Sequence, residues 1–163
     1  MKNIQILLAT LVLAGILFSC NNDDDGISVG DRATAILGQW EYESIMSDRA
    51  VDLNGDNISN IDLFGTQELQ QCVKDNITTF TDSGPSGKPE FNVTENNLAC
   101  SGNDPFSFVY EDFWTLTNDN SVISFENQSS FRIIEFSNNK LVVEKDDIFD
   151  GLEYVRTIVY TKK

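Results

Sequence analysis

From residue 36 onward, apolar and polar side chains alternate with a period of two, and clusters of turn residues interrupt the alternation at short intervals. The pattern predicts eight strands, over residues 37–46, 76–81, 89–94, 106–117, 121–126, 129–136, 140–145 and 153–162. Asn118-Asp119-Asn120, Asn127-Gln128, Asn138-Asn139 and Asp150-Gly151 lie between strands and suit tight reversals, because Asn, Asp and Gly tolerate positive φ. Eight short strands joined this way predict an all-β fold, an eight-stranded antiparallel up-and-down barrel, since closure removes exposed strand edges. An open sandwich is the competing arrangement. One long insertion, residues 47–75, breaks the alternation after the first strand. Within it, Leu63, Phe64 and Leu69 are spaced for a short helix over 61–73 that would act as a lid across one mouth, with Gly65 limiting its length.

The first residues follow a different pattern. Lys2 precedes an apolar run from Ile4 to Phe18, which is the length of a signal peptide and short for a membrane span. Leu17-Phe18-Ser19-Cys20 closes that run and resembles the bacterial lipobox, in which the cysteine is acylated, for example with palmitate, and becomes the new N-terminus. Asn21 to Asp25 follow as a solvated acidic tether and resemble the export signal of Bacteroidetes surface lipoproteins. The expected organisation is therefore a signal peptide over 1–19, a lipidated N-terminus at Cys20 with a flexible tether over 20–34, and one β-barrel domain over 35–163. The expected location is the bacterial outer membrane, reached through the lipid.

Charge narrows the partners. The chain carries 26 acidic and 11 basic residues, a formal net charge of -15, which disfavours nucleic acid and any direct electrostatic attachment to anionic headgroups. Three cysteines are odd for an exported protein until Cys20 is assigned to the lipid. The remaining pair, Cys72 and Cys100, is expected to form a disulfide worth about 3 kcal/mol, since no histidine exists to complete a metal site with them.

Ile36-Leu37-Gly38-Gln39-Trp40 at the first strand, Asp52-Leu53-Asn54-Gly55-Asp56, Cys72-Val73-Lys74-Asp75-Asn76, Trp114-Thr115-Leu116-Thr117-Asn118-Asp119 and the terminal Tyr160-Thr161-Lys162-Lys163 occur together in this order. In that order and spacing the chain resembles the lipocalin-like lipoproteins of Bacteroidetes. The resemblance implies a barrel holding a small hydrophobic ligand, and a Trp40 that plugs the closed end rather than touching the ligand.

Asp52-x-Asn54-x-Asp56 carries the one specific ion signature. Alternating oxygen ligands let a loop wrap a hard cation, with the Ile58 carbonyl and the Asp62 carboxylate placed to complete a structural Ca2+ site. Asn57 stands where an EF-hand has glycine, and Asp62 comes one position early, so the loop is not an EF-hand. A solvated polar turn is the plain alternative.

Catalysis is not expected, and no catalytic cofactor is implied. There is no histidine to activate a nucleophile, and Glu111-Asp112 and Asp146-Asp147 are neighbours on strands, so each pair points to opposite faces and reads as solvated charge. Gly84-Pro85-Ser86-Gly87-Lys88 is too short for a phosphate loop and reads as a hairpin turn. Candidate ligand contacts come from alternation. Phe106, Phe108, Tyr110 and Trp114 share one face of a strand, and Arg156 shares another with Tyr154, Ile158 and Tyr160, where it could receive an anionic head group. Whether these rings line a cavity or fill the lumen is open. The two functional readings are a lipid-anchored, monomeric carrier of a small hydrophobic ligand, and a non-enzymatic surface module that contacts protein or glycan through a filled, calcium-stiffened barrel.

Overall fold

The computed structural model describes residues 26–100 and 110–163. Among them, nine strands form one antiparallel sheet: β1 (Gly38–Val51), β2 (Asn60–Asp62), β3 (Ile77–Thr81), β4 (Glu90–Thr94), β5 (Tyr110–Thr117), β6 (Val122–Phe125), β7 (Phe131–Phe136), β8 (Lys140–Phe149) and β9 (Leu152–Lys162). Each strand from β3 to β8 pairs with its successor, and β1 pairs with both β3 and β9, so eight strands close into the expected barrel. β2 lies outside the ring, set against the far end of β1 with Asp62 opposite Met46 and Asn60 opposite Val51.

The predicted turn residues explain how the chain reverses so tightly. Asn118, Asp119 and Asn120 adopt φ of 51°, 54° and 59°, and Asp150 and Gly151 adopt 48° and 78°, values that Asn, Asp and Gly accommodate at least cost. Alternation then fills the lumen: on β9, Tyr154, Arg156, Ile158 and Tyr160 are all buried. β1 departs from strict alternation. Its register against β9 shifts between Tyr42 and Ser44, so Trp40 is buried before the shift and Ile45 and Ser47 after it. A bulge of this kind turns the side-chain parity over without ending the strand.

The two ends of the barrel are closed differently. At one end, helix α1 (Arg32–Ala35) leads into Ile36, whose carbonyl accepts the Trp40 indole N–H at 2.8 Å. Trp40 is fully buried, packs on Phe136, and is roofed by Lys162, whose Nζ lies 5.1 Å from the ring centroid and donates to the Ala35 carbonyl at 2.8 Å. Trp40 is thus the plug that the Gly-x-Trp pattern implies. The chain before it is bound to this end as well. Residues 26–34, which the sequence assigns to a flexible tether, are held there: Gly26 bridges to Ser137, the Ile27 amide donates to Phe136 O at 2.8 Å, and Arg32 donates to Asn120 O at 3.1 Å.

At the other end, the insertion covers the lumen, but not as the helix expected across 61–73. Helix α2 is confined to Gln71–Lys74. The reason lies in the backbone donors: the Leu63 and Phe64 amides both go to Ile45 O, and the Asp62 carboxylate takes the Phe64 and Gly65 amides. Those N–H groups cannot serve an i to i−4 ladder. A Cβ at residue 65 would sit 2.2 Å from Asp62 Oδ2, so a side chain there would displace the carboxylate that takes these amides. The lid function survives, since Leu63, Leu69 and Val73 are buried in the core cluster. The Cys72–Cys100 disulfide forms as expected and ties α2 to the segment after β4. Beside it, the Asp75 carboxylate accepts the Asn97 and Leu98 amides at 2.7 and 2.8 Å.

Candidate functional site

The lumen is layered from apolar to polar. Above the Trp40 end, Phe80 meets Trp114 edge-on at 5.4 Å and Phe91 at 4.8 Å, while Phe125 packs at a tilt on Phe91 and edge-on to Phe131 at 4.8 Å each. Rings at these spacings fill the barrel. Toward the covered mouth the lining changes character. Lys145 stands opposite Arg156 and Asp147 opposite Tyr154 in the β8–β9 register, which places all four on the inner face side by side. The Asp147 carboxylate meets Arg156 Nη2 at 2.9 Å and Lys145 Nζ at 3.4 Å, and Arg156 also donates to the Tyr154 hydroxyl at 2.8 Å.

This cluster is charged and largely out of water. Burial is the strongest influence on Lys145 and lowers its pKa, with Asp147 opposing and Arg156 reinforcing the shift. Burial also presses against the Arg156 charge, but Asp147 and Tyr154 outweigh it and its pKa is raised. Tyr42, Tyr110 and Tyr160 close the same space, and burial raises all three, so their hydroxyls stay protonated and can donate. The space left between Tyr42, Tyr110, Lys145, Arg156 and Tyr160 is about 20 Å³, room for roughly one water. Outside it, a depression of about 670 Å³ opens at the rim, and Asp147 and Tyr154 line both the rim and the polar layer beneath. Asp147 already pairs with both cations, so the layer offers an anionic oxygen group one net positive charge and several hydroxyl donors.

The expected ligand residues separate on this map. Tyr110 and Arg156 come together in the polar layer. Trp114 does not, being packed on Phe80 with its indole N–H donating to Thr81 O at 3.1 Å. Phe106 and Phe108 lie outside the described residues, as do Cys20 and the predicted leader. Two adjacent-carboxylate pairs point to opposite faces as anticipated, but their inner members are not solvated. Asp112 is buried and accepts the Asn127 backbone and side-chain amides at 3.1 and 3.0 Å, and Asp147 holds the two lumen cations. Outside, Asp146 pairs with Arg132 at 2.8 Å, a hydrogen bond that lowers its pKa. Gly84 to Lys88 form the predicted hairpin turn, with the Gly84 amide donating to Lys88 O.

The Asp52 loop is organised by its own backbone. Asp52 accepts the amides of Gly55, Asp56 and Asn57, and Asp56 accepts that of Ile58. Asn57 takes φ of 68°, the left-handed geometry its position requires. Asn54 Nδ2 lies 3.2 Å from Asp56 Oδ2, the Ile58 carbonyl accepts from Asn60, and Asp62 is turned to the next bend. Among the described residues, no group of three or more acidic, Cys or His side chains converges as a metal cluster. The acid behind the loop is Glu68, which the sequence analysis missed: it is buried and accepts the Leu53 and Asn54 amides and the Asn60 side chain.

Residues 36–143 match the family described as the lipocalin-like domain. The chain belongs to that family. No curated protein gives a match. Among solved structures, this lipocalin-like chain is similar to a siderocalin, Ex-FABP, reported to function through dual ligand specificities, at 12% identity, with 79% of this chain and 74% of that one covered and a TM-score of 0.47. It is also similar to bovine odorant binding protein in complex with a selenium-containing odorant, at 16% identity, 80% and 71% coverage and a TM-score of 0.45. A third similarity is to apocrustacyanin C2, at 14% identity, 83% and 70% coverage and a TM-score of 0.38.

Proposed function

We propose that this lipocalin-like protein is an exported, non-enzymatic carrier of the Bacteroidetes lipoprotein type, acylated at Cys20 and held at the outer membrane, that takes a small hydrophobic ligand at the mouth of its barrel. The observation that carries the reading is the Lys145–Asp147–Arg156 cluster at the junction of a packed lumen and an open rim depression. The rings around Phe91 leave no depth for a buried tail, so the ligand sits in the mouth with an acidic end directed at Arg156 and Lys145. The Asp52 loop is proposed as a weak structural calcium site narrowed to Asp52, Asn54 and Asp56, because Asp62 is engaged elsewhere.

Native mass spectrometry of protein extracted from its own bacterium tests the carrier reading, with a co-purifying lipid or acid expected and consistently empty protein counting against it. A fluorescent fatty acid then probes the cluster. Arg156→Gln should weaken its binding roughly tenfold, as loss of a charged hydrogen bond implies, and unchanged binding removes Arg156 from the site.

A further inference from the structure

The chain that would connect the barrel to Cys20 leaves from the end opposite the mouth. Gly26 is bridged to Ser137 in the turn between β7 and β8, Ile27 is bonded to Phe136, and Asn120 Nδ2 donates to Val29 O at 2.9 Å in the turn between β5 and β6. Both turns belong to the closed end, with Trp40 and Lys162. Five residues lie between Cys20 and Gly26, and the six steps of chain reach at most about 20 Å at full extension. The ten residues of β8 run from that end to the mouth. At the usual strand rise and barrel tilt this is a height of about 25 Å. A tether rooted at the closed end is therefore too short to let the mouth rest on a bilayer.

Charge runs the same way. At the closed end, Lys140 pairs with Glu135 and Lys163 with Glu41, and Lys162 and Arg32 are offset by Asp31 and Asp119, which leaves that surface near balance. The mouth end carries Asp48, Asp52, Asp56, Glu95, Asp150 and Glu153 against Arg49 and Lys74, an acidic excess. An anionic lipid surface repels that rim and tolerates the other.

We propose that the closed end, built from α1, the β5–β6 and β7–β8 turns and the last residues of β9, is the surface that faces the membrane, and that the mouth opens away from the lipid. Ligand then enters from the aqueous side rather than from the bilayer beneath. The proposal rests on acylation at Cys20. It is tested with the full lipidated chain, expressed with its own leader and reconstituted into vesicles of phosphatidylethanolamine and phosphatidylglycerol that carry an acceptor dye on the headgroup. Donor dyes are placed singly through Asn139→Cys or Ser86→Cys at the closed end, and Ile148→Cys or Ile58→Cys at the mouth. The two sites at each end keep the comparison intact if one variant does not fold. About twofold greater energy transfer is expected from the closed-end pair, given the height difference of about 25 Å. Acylated, vesicle-bound protein with equal or reversed transfer overturns the orientation and leaves the anchor standing. An intact mass without acyl chains on Cys20, with no vesicle binding, removes the anchor and the orientation together.

Discussion

The two ends of this barrel solve the same closure problem with opposite chemistry. The closed end is shut by a buried tryptophan whose single polar atom is satisfied by Ile36 O, with Lys162 laid across its face. The covered end is shut by a short insertion stapled through Cys72–Cys100, beneath which two cations, a carboxylate and three tyrosines stay out of water. Burying charge without replacing it by apolar packing does not favour stability as such. The difference locates stability at one end and chemistry at the other.

If that division is right, perturbations at the two ends should have different signatures. Trp40→Ala should have the largest effect, a loss of about 3–5 kcal/mol in urea unfolding from the lost burial and the cavity left behind, while protein that remains folded keeps its affinity for a fatty acid. Loss of affinity in the folded variant would erase the division. Replacing both Cys72 and Cys100 by Ala should cost about 3 kcal/mol, and hydrogen exchange should speed up around residues 71–76 while amides near Trp40 stay protected. Uniform acceleration would show that the staple serves the whole barrel.

A smaller effect concerns pH. Lys145 has a folded pKa below its unfolded value, so the folded protein releases this proton first; the stability cost of its buried charge is full below the folded pKa and diminishes as pH rises through it toward the ordinary lysine value of about 10.4. The same proton loss weakens attraction for an acid. Fatty-acid affinity should therefore fall with rising pH before ordinary lysines titrate, and the fall should vanish in Lys145→Met, as a fluorescence titration across pH would record. The smallest effect is expected from calcium, at about 1 kcal/mol for a site occupied at several times its dissociation constant. A calcium-dependent rise in Tm that Asp52→Asn abolishes would support the loop as a site, and equal curves would leave it a polar turn.

What the sequence revealed, and what it hid, follows the local physics. The triple Asn118-Asp119-Asn120 marked a reversal because few other residues accept three left-handed conformations in succession. The inner face of β9 was legible through Tyr154, Arg156, Ile158 and Tyr160, since nothing interrupts its alternation. β1 was harder. Its bulge after Tyr42 reverses parity, so counting by twos from Trp40 buries Met46 when Ile45 is buried instead. The last residues of β8 were lost for another reason: the predicted strand stops at Lys145 before two adjacent acids, and only the opposing Tyr154 and Arg156 show that Asp147 is the member that faces inward. β2 has three residues, too few to display any period. Glu68 lay in a segment read as helix, and its role emerges only once the chain folds back on the Asp52 loop.

The pairing of β1 with β9 also governs when this protein can exist as a barrel at all. Trp40 stands opposite Lys162, and the Lys163 amide donates to Gln39 O, so the seam joins nearly the first and the last residues of the domain. A nascent chain can pair β1 with β3 and form the β3 to β8 hairpins one after another, yet the second edge of β1 has no partner until the final strand arrives. The long loop closed by that step makes folding slow relative to hairpin formation. Folding of this chain is therefore completed by its C-terminus, and a truncation of even the last strand leaves an open sheet with two free edges.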